Sequence, residues 1–351
     1  MRLAALLLSI SLVLASVAGC GSSAPRTRGE SDVSRTEAVS EARVETVERR
    51  VWTPSVLLWQ VGDRDHPSWV FATLNYGVTL EVALPDPHDA ILDEARAVVA
   101  PMDPRLAQIE ATAEVLRMGR RERLDRMLGR ELWPRLMAAL GPDISEESAR
   151  ITRPSVLASH LSRIRMAEVE AIAEGRDPVP FAGSSSSASG ELLDRAIAAG
   201  VPIVSLDASV AESVRELDEA GRELELQWLR YMIEHEAESR LATAEMRAAY
   251  LAQDERSLAA LCDGEEGDGE GDGEEGTDVV ARVRAMMLAH TDRWMTVIDR
   301  ELEAGGVLIA LPACDVLFSR GVLARLRERG LHVERLGSPP GTPRPPDERL
   351  D

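Results

Sequence analysis

Polar residues stand where four apolar segments of this chain end. Asn75 follows "SWVFATL", Asp103 follows "AVVAPM", Asp207 follows "VPIVSL" and Asp315 follows "VLIALPAC". The carboxyl ends of strands in α/β proteins are where sites are commonly built, so these side chains are the first candidates for chemistry.

A cysteine, Cys314, directly precedes Asp315 and raises the question of a thiol nucleophile. No histidine partner for it can be identified in the sequence, so a small, buried, apolar cysteine at a strand end is the favoured interpretation. Cys262 and Cys314 could pair in an oxidising compartment. Sequence alone does not decide this, because it does not tell whether the two Cα atoms come within about 6 Å.

Several familiar catalytic motifs are incomplete here. His235-Glu236 would suggest a zinc protease helix, but position 239 is Ser239 where the second histidine would stand. The serines at 184–187 have no Gly-x-Ser-x-Gly spacing and indicate a loop over 175–190. The chain has neither a P-loop nor a Gly-x-Gly-x-x-Gly motif, and its histidines show no ligand spacing among themselves.

The elements that must position the four strand-end residues can be read from hydrophobic patterning. Two apolar runs, 55–61 and 68–75, flank the turn sequence "GDRDHP" and predict a β-hairpin. Later strands at 97–102, 201–207, 305–315 and 331–336 alternate with helices. This alternation predicts an α/β fold: a mixed, mostly parallel sheet flanked by helices, with an N-terminal β-hairpin and a helical insertion.

The predicted helices fill the remaining apolar-periodic segments, and Pro154 is expected to open one of them because proline suits the first helical turn. A glycine stop ends the helix before the middle strand and another ends the helix before the last strand. The predicted helical ranges are 87–96, 104–140, the segment from 154, 191–200, 209–261 with a break near Gly221, 279–304 and 321–330.

This order of segments resembles the TraB/GumN family, which is related to the Tiki proteins. The resemblance covers residues 54–337: a hairpin first, then "AVVAPMDP", then "GELLDRAIAAGVPIVSLD", and finally "GGVLIALPACDVLFSRGVLARLRERGLHVERL". In that family the second strand ends in Gly-x-x-His, and the matching positions here run from Ala72 to Asn75. The resemblance therefore implies that Asn75 occupies the place of a metal-binding histidine.

The other family motifs are also altered. The family's next strand carries a glutamate and, two residues later, an aspartate, which match Pro101 and Asp103. A Leu-Glu ending becomes Leu206-Asp207, and a second Gly-x-x-His runs here from Pro312 to Asp315. Tiki-type members resemble metal-dependent peptidases, in which a bound ion activates water. At the matched positions the chain offers Asn75, Asp103, Asp207 and Asp315. Their oxygens would suit a hard ion such as Ca²⁺ or Mg²⁺, whereas zinc-like ions prefer nitrogen and sulfur ligands. The combined replacements favour a site that has lost its ion, so we expect neither a metal nor another cofactor.

The first residues resemble a bacterial lipoprotein signal. Residues 1–19 combine Arg2 with an apolar run and end in small residues before Cys20. Cleavage there would leave Cys20 at the amino terminus, carrying lipid such as palmitate and anchoring the chain to a membrane. Residues 20–53 are poor in large apolar residues and predict a disordered tether. The folded domain is predicted over 54–337, followed by a disordered tail at 338–351.

The formal charge of −20 argues against nucleic acid as a partner, because phosphate binding needs a concentrated basic face. Nine acidic residues fall in the run 263–278, which lacks the ligand spacing of a calcium loop and predicts a disordered acidic loop. We therefore expect a membrane-anchored protein of the cell envelope, facing the periplasm or the cell exterior, that binds or scaffolds an unknown envelope protein or peptide. The alternatives are a Tiki-type metal-dependent hydrolase with a rearranged ligand set and a purely structural lipoprotein.

Overall fold

The structure is a computed structural model of the chain. It describes residues 56–62, 66–85, 90–105, 116–119, 121–177, 187–207, 221–263 and 274–337. The predicted signal peptide, Cys20, the tether, the tail and most of the acidic run lie outside the described residues.

One mixed sheet of six strands organises the described residues. Its strands are β1 (Leu58–Val61), β2 (Ser68–Thr73), β3 (Ala97–Ala100), β4 (Ile203–Ser205), β5 (Val307–Pro312) and β6 (Val333–Arg335). They lie in the order β4-β3-β5-β2-β1-β6. Strands β4, β3, β5 and β2 run parallel, while β1 is antiparallel to both β2 and β6. The predicted fold class, with its N-terminal hairpin, is confirmed.

The pairing register brings the ends of the parallel strands to one edge of the sheet. Thr73, the last residue of β2, pairs with Pro312, the last residue of β5. The last pair of β3 and β4 joins Ala100 to Ser205. Because the four strands are parallel, everything that follows their last residues lies along the same edge.

The central strands β2, β3 and β5 are buried along their whole length, whereas the edge strand β4 is only half-buried. Parallel strands covered on both faces give continuous apolar runs, which is the pattern of "AVVA" and "VLIALP". The polar residues at the two ends of β2 are satisfied across the sheet. Ser68 Oγ accepts a hydrogen bond from the Val307 backbone at 3.3 Å, and Thr73 Oγ1 donates to the Leu311 carbonyl at 3.0 Å.

Helices pack on the two sides of this sheet. In chain order the described ones are α1 (Leu80–Ala83), α2 (Ala90–Glu94), α3 (Leu124–Leu140), α4 (Glu146–Ile151), α5 (Pro154–Ala173), α6 (Ala188–Ala199), α7 (Arg222–Glu234), α8 (Glu236–Leu251), α9 (Glu255–Asp263), α10 (Glu274–Ala304), α11 (Ala313–Leu317) and α12 (Val322–Glu328). Pro154 does open α5, and Gly200 ends α6 in the left-handed conformation with φ 74°. None of the described helices has the length and apolar character needed to cross a membrane.

Several predicted boundaries were wrong. Residues 116–119 are not helical, because Arg117 pairs with Thr152 in an isolated antiparallel bridge, so α3 begins only at Leu124. Strand β3 stops at Ala100 instead of 102, as Pro101 has no backbone N–H for the ladder. The predicted loop 175–190 ends early, since Ser187 caps α6 by accepting a hydrogen bond from the Gly190 backbone.

The non-helical part of the acidic run is shorter than predicted. Asp263 is the last residue of α9, and α10 already begins at Glu274 rather than near 279. Residues 264–273 lie outside the described residues.

The helical insertion is held together by a buried ion pair. Arg153, just before α5, pairs with Glu225 of α7, and both side chains are almost completely buried. The Ser155 hydroxyl donates a hydrogen bond to the same carboxylate at 2.5 Å. Removing one member of a buried pair leaves an uncompensated charge, so this contact fixes how α5 and α7 pack.

Candidate functional site

A small pocket with a cavity volume of about 30 Å³ opens at the carboxyl ends of β2, β3 and β5. Two residues of α6, Ser189 and Leu193, complete its wall. The strands contribute the rest of the wall: Thr73, Asn75, Ala100, Pro101, Met102, Ala310 and Pro312. The wall is therefore mainly apolar and carries only hydroxyl and amide groups as polar side chains. We call it the strand-end pocket.

Asn75 is the most polar residue of the pocket wall. Its Oδ1 accepts a hydrogen bond from Ser189 Oγ at 3.2 Å, which ties the end of β2 to α6. The amide nitrogen of Asn75 keeps its two donors for other partners. Ala72 is completely buried and does not line the pocket; its carbonyl accepts a hydrogen bond from the Tyr250 hydroxyl at 2.8 Å. Burial raises the pKa of Tyr250 far above its usual range, so Tyr250 is a neutral donor here.

Two prolines line the pocket at the ends of neighbouring strands: Pro101 directly follows β3, and Pro312 is the last residue of β5. Neither has a side-chain donor or acceptor, and neither has a backbone N–H. The carbonyl of Pro101 accepts a hydrogen bond from the Asp207 backbone at 2.9 Å, which holds the end of β4 against the end of β3.

The Asp103 carboxylate is bound by Arg105, two residues further along the chain. The Arg105 guanidinium lies 2.6 Å from Oδ2, and Arg105 Nε lies 3.0 Å from Oδ1. These hydrogen bonds hold the pKa of the Asp103 carboxyl below its usual range. The Asp103 backbone N–H donates to Ser205 Oγ at 2.9 Å. Asp103 is thus held at the same edge of the sheet without lining the pocket.

The carboxylate of Asp207 meets two residues of the long helix α10. His290 Nε2 and Trp294 Nε1 each lie 2.8 Å from Oδ1 of Asp207. Trp294 can only donate, so it fixes the orientation of the carboxylate. The second oxygen, Oδ2, is buried and has no hydrogen-bond partner among the described residues. The rings of His290 and Trp294 lie 4.3 Å apart, which packs the pair as a unit.

Asp315 interacts electrostatically with Asp207 and His290. Its side chain is buried, and burial raises its pKa to about 7, opposed by the positive charge of His290 and helped by the negative charge of Asp207. Burial lowers the pKa of His290, but the hydrogen bond and charge of Asp207, with the charge of Asp315, outweigh burial and raise it above its ordinary value. We call Asp207, His290 and Asp315 the carboxylate cluster.

Sequence reasoning missed His290. It was one of six histidines without mutual ligand spacing, and its partner Asp207 lies 83 positions away. A usable signal existed, because His290 and Trp294 are spaced by four and must share one face of a helix.

Cys314 is paired with Cys262 in a disulfide, with Cα atoms 5.1 Å apart. The prediction of a small, buried thiol was therefore correct in burial but wrong in oxidation state, because the Cys314 sulfur is part of a disulfide. The bond joins the end of α9 to the start of α11, directly beside Asp315. The neighbouring Asp263 supports the same junction by accepting a hydrogen bond from the Ser319 backbone at 2.9 Å.

Comparison with known proteins gives the family. The TraB/PrgY/gumN family model matches residues 57–335, which is most of the chain and nearly all of its folded part. The chain belongs to the TraB/PrgY/gumN family. Neither the curated proteins nor the solved structures gave a match. The resemblance seen in the order of the sequence segments is thereby confirmed.

The metal centre implied by the TraB/GumN resemblance does not fit the donors that this member presents. Pro101 supplies none, the Asn75 amide is bonded to Ser189, and Asp103 is held by Arg105. Across the described residues, no group of three or more His, Cys, Asp or Glu side chains is arranged to hold a metal ion.

The predicted site residues of this TraB/PrgY/gumN protein thus separate into three groups. Asn75, Pro101 and Pro312 line the strand-end pocket. Asp207 and Asp315 meet in the carboxylate cluster with His290. Ala72 and Asp103 have structural partners of their own.

Proposed function

We propose that this TraB/PrgY/gumN protein is a lipid-anchored envelope protein that binds a ligand in the strand-end pocket and does not catalyse metal-dependent hydrolysis. One observation carries the proposal. The positions that match metal ligands at the pocket are Asn75 and Pro101, while the Asp103 and Asp207 carboxylates of the same edge are engaged by Arg105 and by Trp294.

The pocket supports a binding role through its chemistry. Ligand sites are commonly apolar concavities with a few polar groups that orient the ligand. Here the apolar wall is supplied by Leu193, Met102 and the prolines, and orientation by Asn75 and Ser189. The Asn75 amide nitrogen can donate to a carbonyl or hydroxyl oxygen of a ligand.

The anchoring part of the proposal rests on sequence. The Val-Ala-Gly-Cys ending before residue 21 and the polar segment after it are typical of a lipoprotein. A lipid on Cys20 would hold the binding domain near the membrane, where an envelope protein or peptide is within reach of the tether.

The binding claim can be tested by filling the pocket. The full chain carrying Cys20→Ser is purified, equilibrated with a cell-envelope extract and washed, and retained small molecules and peptides are identified by mass spectrometry. Leu193→Trp places a large ring in the pocket wall, whereas Ile172→Trp changes a side chain that is 64% exposed on α5. A ligand retained by the parent and by Ile172→Trp, but lost with Leu193→Trp, supports the proposal. Equal retention by all three proteins contradicts it.

The hydrolase remains a second candidate because of one specific observation. His290 places an imidazole against Asp207 and near Asp315, although both matched family histidines are replaced. Metal analysis of the same protein, with an assay on an unfolded substrate such as casein and added Mn²⁺, Co²⁺ or Zn²⁺, separates the two. One bound ion per chain, with cleavage lost in Asp207→Ala and His290→Ala, would favour the hydrolase. A third candidate, a structural lipoprotein, predicts neither ligand nor cleavage.

A further inference from the structure

The strand-end pocket is too small to enclose a whole ligand. Its cavity volume is about 30 Å³, which is roughly two to three times the minimum that one water molecule needs. A space of this size takes a group of a few heavy atoms, such as a methyl group with a carbonyl. A ligand bound there therefore inserts one terminal group and keeps the rest of its structure outside the pocket.

One side-chain group of the pocket wall is left to donate hydrogen bonds to a ligand. Thr73 Oγ1 already donates to the Leu311 carbonyl at 3.0 Å, and Ser189 Oγ donates to Asn75 Oδ1 at 3.2 Å. The other described wall residues have apolar side chains. The two N–H groups of the Asn75 amide are thus the side-chain donors of the described wall that remain for a ligand.

A short chain of hydrogen bonds fixes which end of the Asn75 amide faces α6. The Gly190 backbone N–H donates to Ser187 Oγ at 3.1 Å, and Ser187 Oγ lies 3.3 Å from Ser189 Oγ. A hydroxyl has one proton to donate. Because the Ser189 proton goes to Asn75 Oδ1, the Ser187 hydroxyl is the donor to Ser189. This chain turns Oδ1 toward α6 and leaves the NH2 group of Asn75 for the pocket.

The chemistry of the wall favours an uncharged group that accepts a hydrogen bond. None of the described side chains that line the pocket ionises, and a charged group buried without a partner of opposite charge is costly. The backbone carbonyls of Ala100 and Pro101 already accept hydrogen bonds from backbone N–H groups. The wall therefore matches a carbonyl oxygen for the Asn75 donors and a methyl group for the apolar side chains.

We propose that the strand-end pocket binds the acetamido group of a larger ligand. The acetyl methyl lies against the apolar wall, the acetyl oxygen accepts a hydrogen bond from Asn75 Nδ2, and the nitrogen leads out to the rest of the ligand. The inference rests on the proposed binding function and names the chemical class of its ligand. An acetamido group can come from an N-acetylated amino sugar or from an N-acetylated amino terminus of a peptide.

The test observes Asn75 directly. It is the only asparagine of the chain, so labelling the side-chain amide of asparagine with ¹⁵N gives one pair of NH2 signals in the full chain with Cys20→Ser. N-acetylglucosamine is compared with glucosamine, and N-acetylalaninamide with alaninamide, by NMR titration. We expect each N-acetyl probe to shift the NH2 signals saturably and to bind at least about tenfold more tightly than its free amine. Tighter binding of N-acetylglucosamine assigns the sugar source, and the reverse assigns the peptide source.

Two outcomes of the titration overturn the acetamido group. Equal binding of the acetylated and free-amine probes rejects it but leaves the pocket as a binding site. No shift with any probe also rejects it. The proposed function is judged separately, because an envelope ligand that is retained by the parent and lost with Leu193→Trp would still support it.

Variants separate the donor from the chain of hydrogen bonds that positions it. Asn75→Asp puts an oxygen in place of the NH2 group and should abolish the preference for N-acetyl probes, measured from the signals of the probes. Ser189→Ala should shift the Asn75 NH2 signals before any probe is added and weaken the binding of both N-acetyl probes. Ser189→Thr keeps the hydroxyl and should restore both properties.

Ser145→Ala is the matched control. Ser145 also accepts a hydrogen bond in the first turn of a helix, from the Ser148 backbone at 3.1 Å, but it does not line the pocket. The control should keep the NH2 signals and the preference of the parent. An unchanged preference in Asn75→Asp overturns the proposal. If Asn75→Asp does not fold, unchanged NH2 signals and probe binding in Ser189→Ala overturn it instead.

Discussion

The Nε2 atom of His290 lies 2.8 Å from Oδ1 of Asp207 and joins the long helix α10 to the end of the edge strand β4. Trp294, one turn further along the same helix, donates to the same oxygen. A half-buried edge strand of three residues has little packing of its own, so these two contacts position the Asp207 carboxylate after β4.

Asp315 should make the protein less stable as the pH rises. Its pKa is raised to about 7 in the folded protein from the ordinary 3.8. The unfolded chain therefore releases this proton first, and wild-type stability falls between about pH 4 and pH 7 by up to a few kcal/mol. Asp315→Asn cannot ionise and should lack this part of the decrease.

The measurement is urea unfolding of wild type and Asp315→Asn at several pH values. His290 also makes both proteins less stable as the pH rises, because its pKa is raised in the folded protein. Its stabilising contribution is complete below the pKa of the unfolded chain and is lost as the pH rises through the pKa of the folded protein. The difference between the two proteins therefore reports the titration of Asp315 together with the part of the His290 shift that the charge of Asp315 causes. Parallel pH profiles would show that the carboxyl group is not buried in solution.

The Cys262–Cys314 disulfide should contribute substantially to stability. It closes a loop with a sequence separation of 52, and disulfides of this kind typically contribute about 2–4 kcal/mol. Adding a reductant should lower the urea midpoint of the parent protein. The double variant Cys262→Ala/Cys314→Ala should start lower and show no response to reductant. Two reactive thiols in the unfolded, unreduced Cys20→Ser chain would contradict the pairing.

The acidic run should tolerate shortening only between the end of α9 and the start of α10. Replacing residues 264–273 by a short Gly/Ser linker shortens the connection between α9 and α10, and the closure entropy of a flexible connection changes by only about 0.6 kcal/mol per doubling of length. The melting temperature should therefore stay within a few degrees. Asp263→Ala should cost more than this deletion, because Asp263 accepts the hydrogen bond from the Ser319 backbone. If the deletion lowers stability more than Asp263→Ala does, the acidic residues themselves bind an ion or contact the folded domain.

Restoring histidines should not restore metal-dependent hydrolysis. Asn75→His and Asp315→His together re-create both matched imidazoles, but Pro101 still supplies no carboxylate and Asp103 is still held by Arg105. Loss of even one ligand usually weakens a metal site severely. Metal analysis of the double variant should find no stoichiometric ion, and casein should remain intact. The triple variant that adds Pro101→Glu is the comparison. Cleavage by the double variant would show that the missing carboxylate is dispensable.

Cys20→Ser should release the protein from membranes. A single acyl chain binds only marginally, whereas multiple chains anchor stably, so the lipid on Cys20 would account for all tight membrane association. Fractionation of cells expressing wild type and Cys20→Ser, with intact-mass measurement of the mature chain, checks this. A wild-type mass equal to that of the unmodified chain would refute the lipid.

The fold was largely predictable because its signals are local. The buried parallel strands give unbroken apolar runs, and Pro154 and Gly200 mark helix boundaries through their own backbone geometry. The bridge between Arg117 and Thr152 was not predictable, because helical periodicity continues through a segment that tertiary pairing makes extended.

The site was predictable only in part. The family motifs singled out Asn75, Pro101 and Pro312, and the structure brings these three residues together because parallel strands end at one edge. His290 comes from a helix far along the chain, and its approach to Asp207 depends on how α10 packs, which no local pattern encodes. The partner of Cys314 was equally hidden, as two cysteines alone do not reveal their distance.

The disulfide also bears on how the protein could be engineered. Cys262 lies one residue before the end of α9, so the chain is covalently fixed to the core immediately before residues 264–273, and it returns as helix from Glu274. The disulfide therefore holds the end of α9 in place, whatever the length of the segment inserted after it. A folded reporter, such as a fluorescent protein, could therefore be inserted between Asp263 and Glu274 as an internal label, leaving both the amino terminus and the strand-end pocket free.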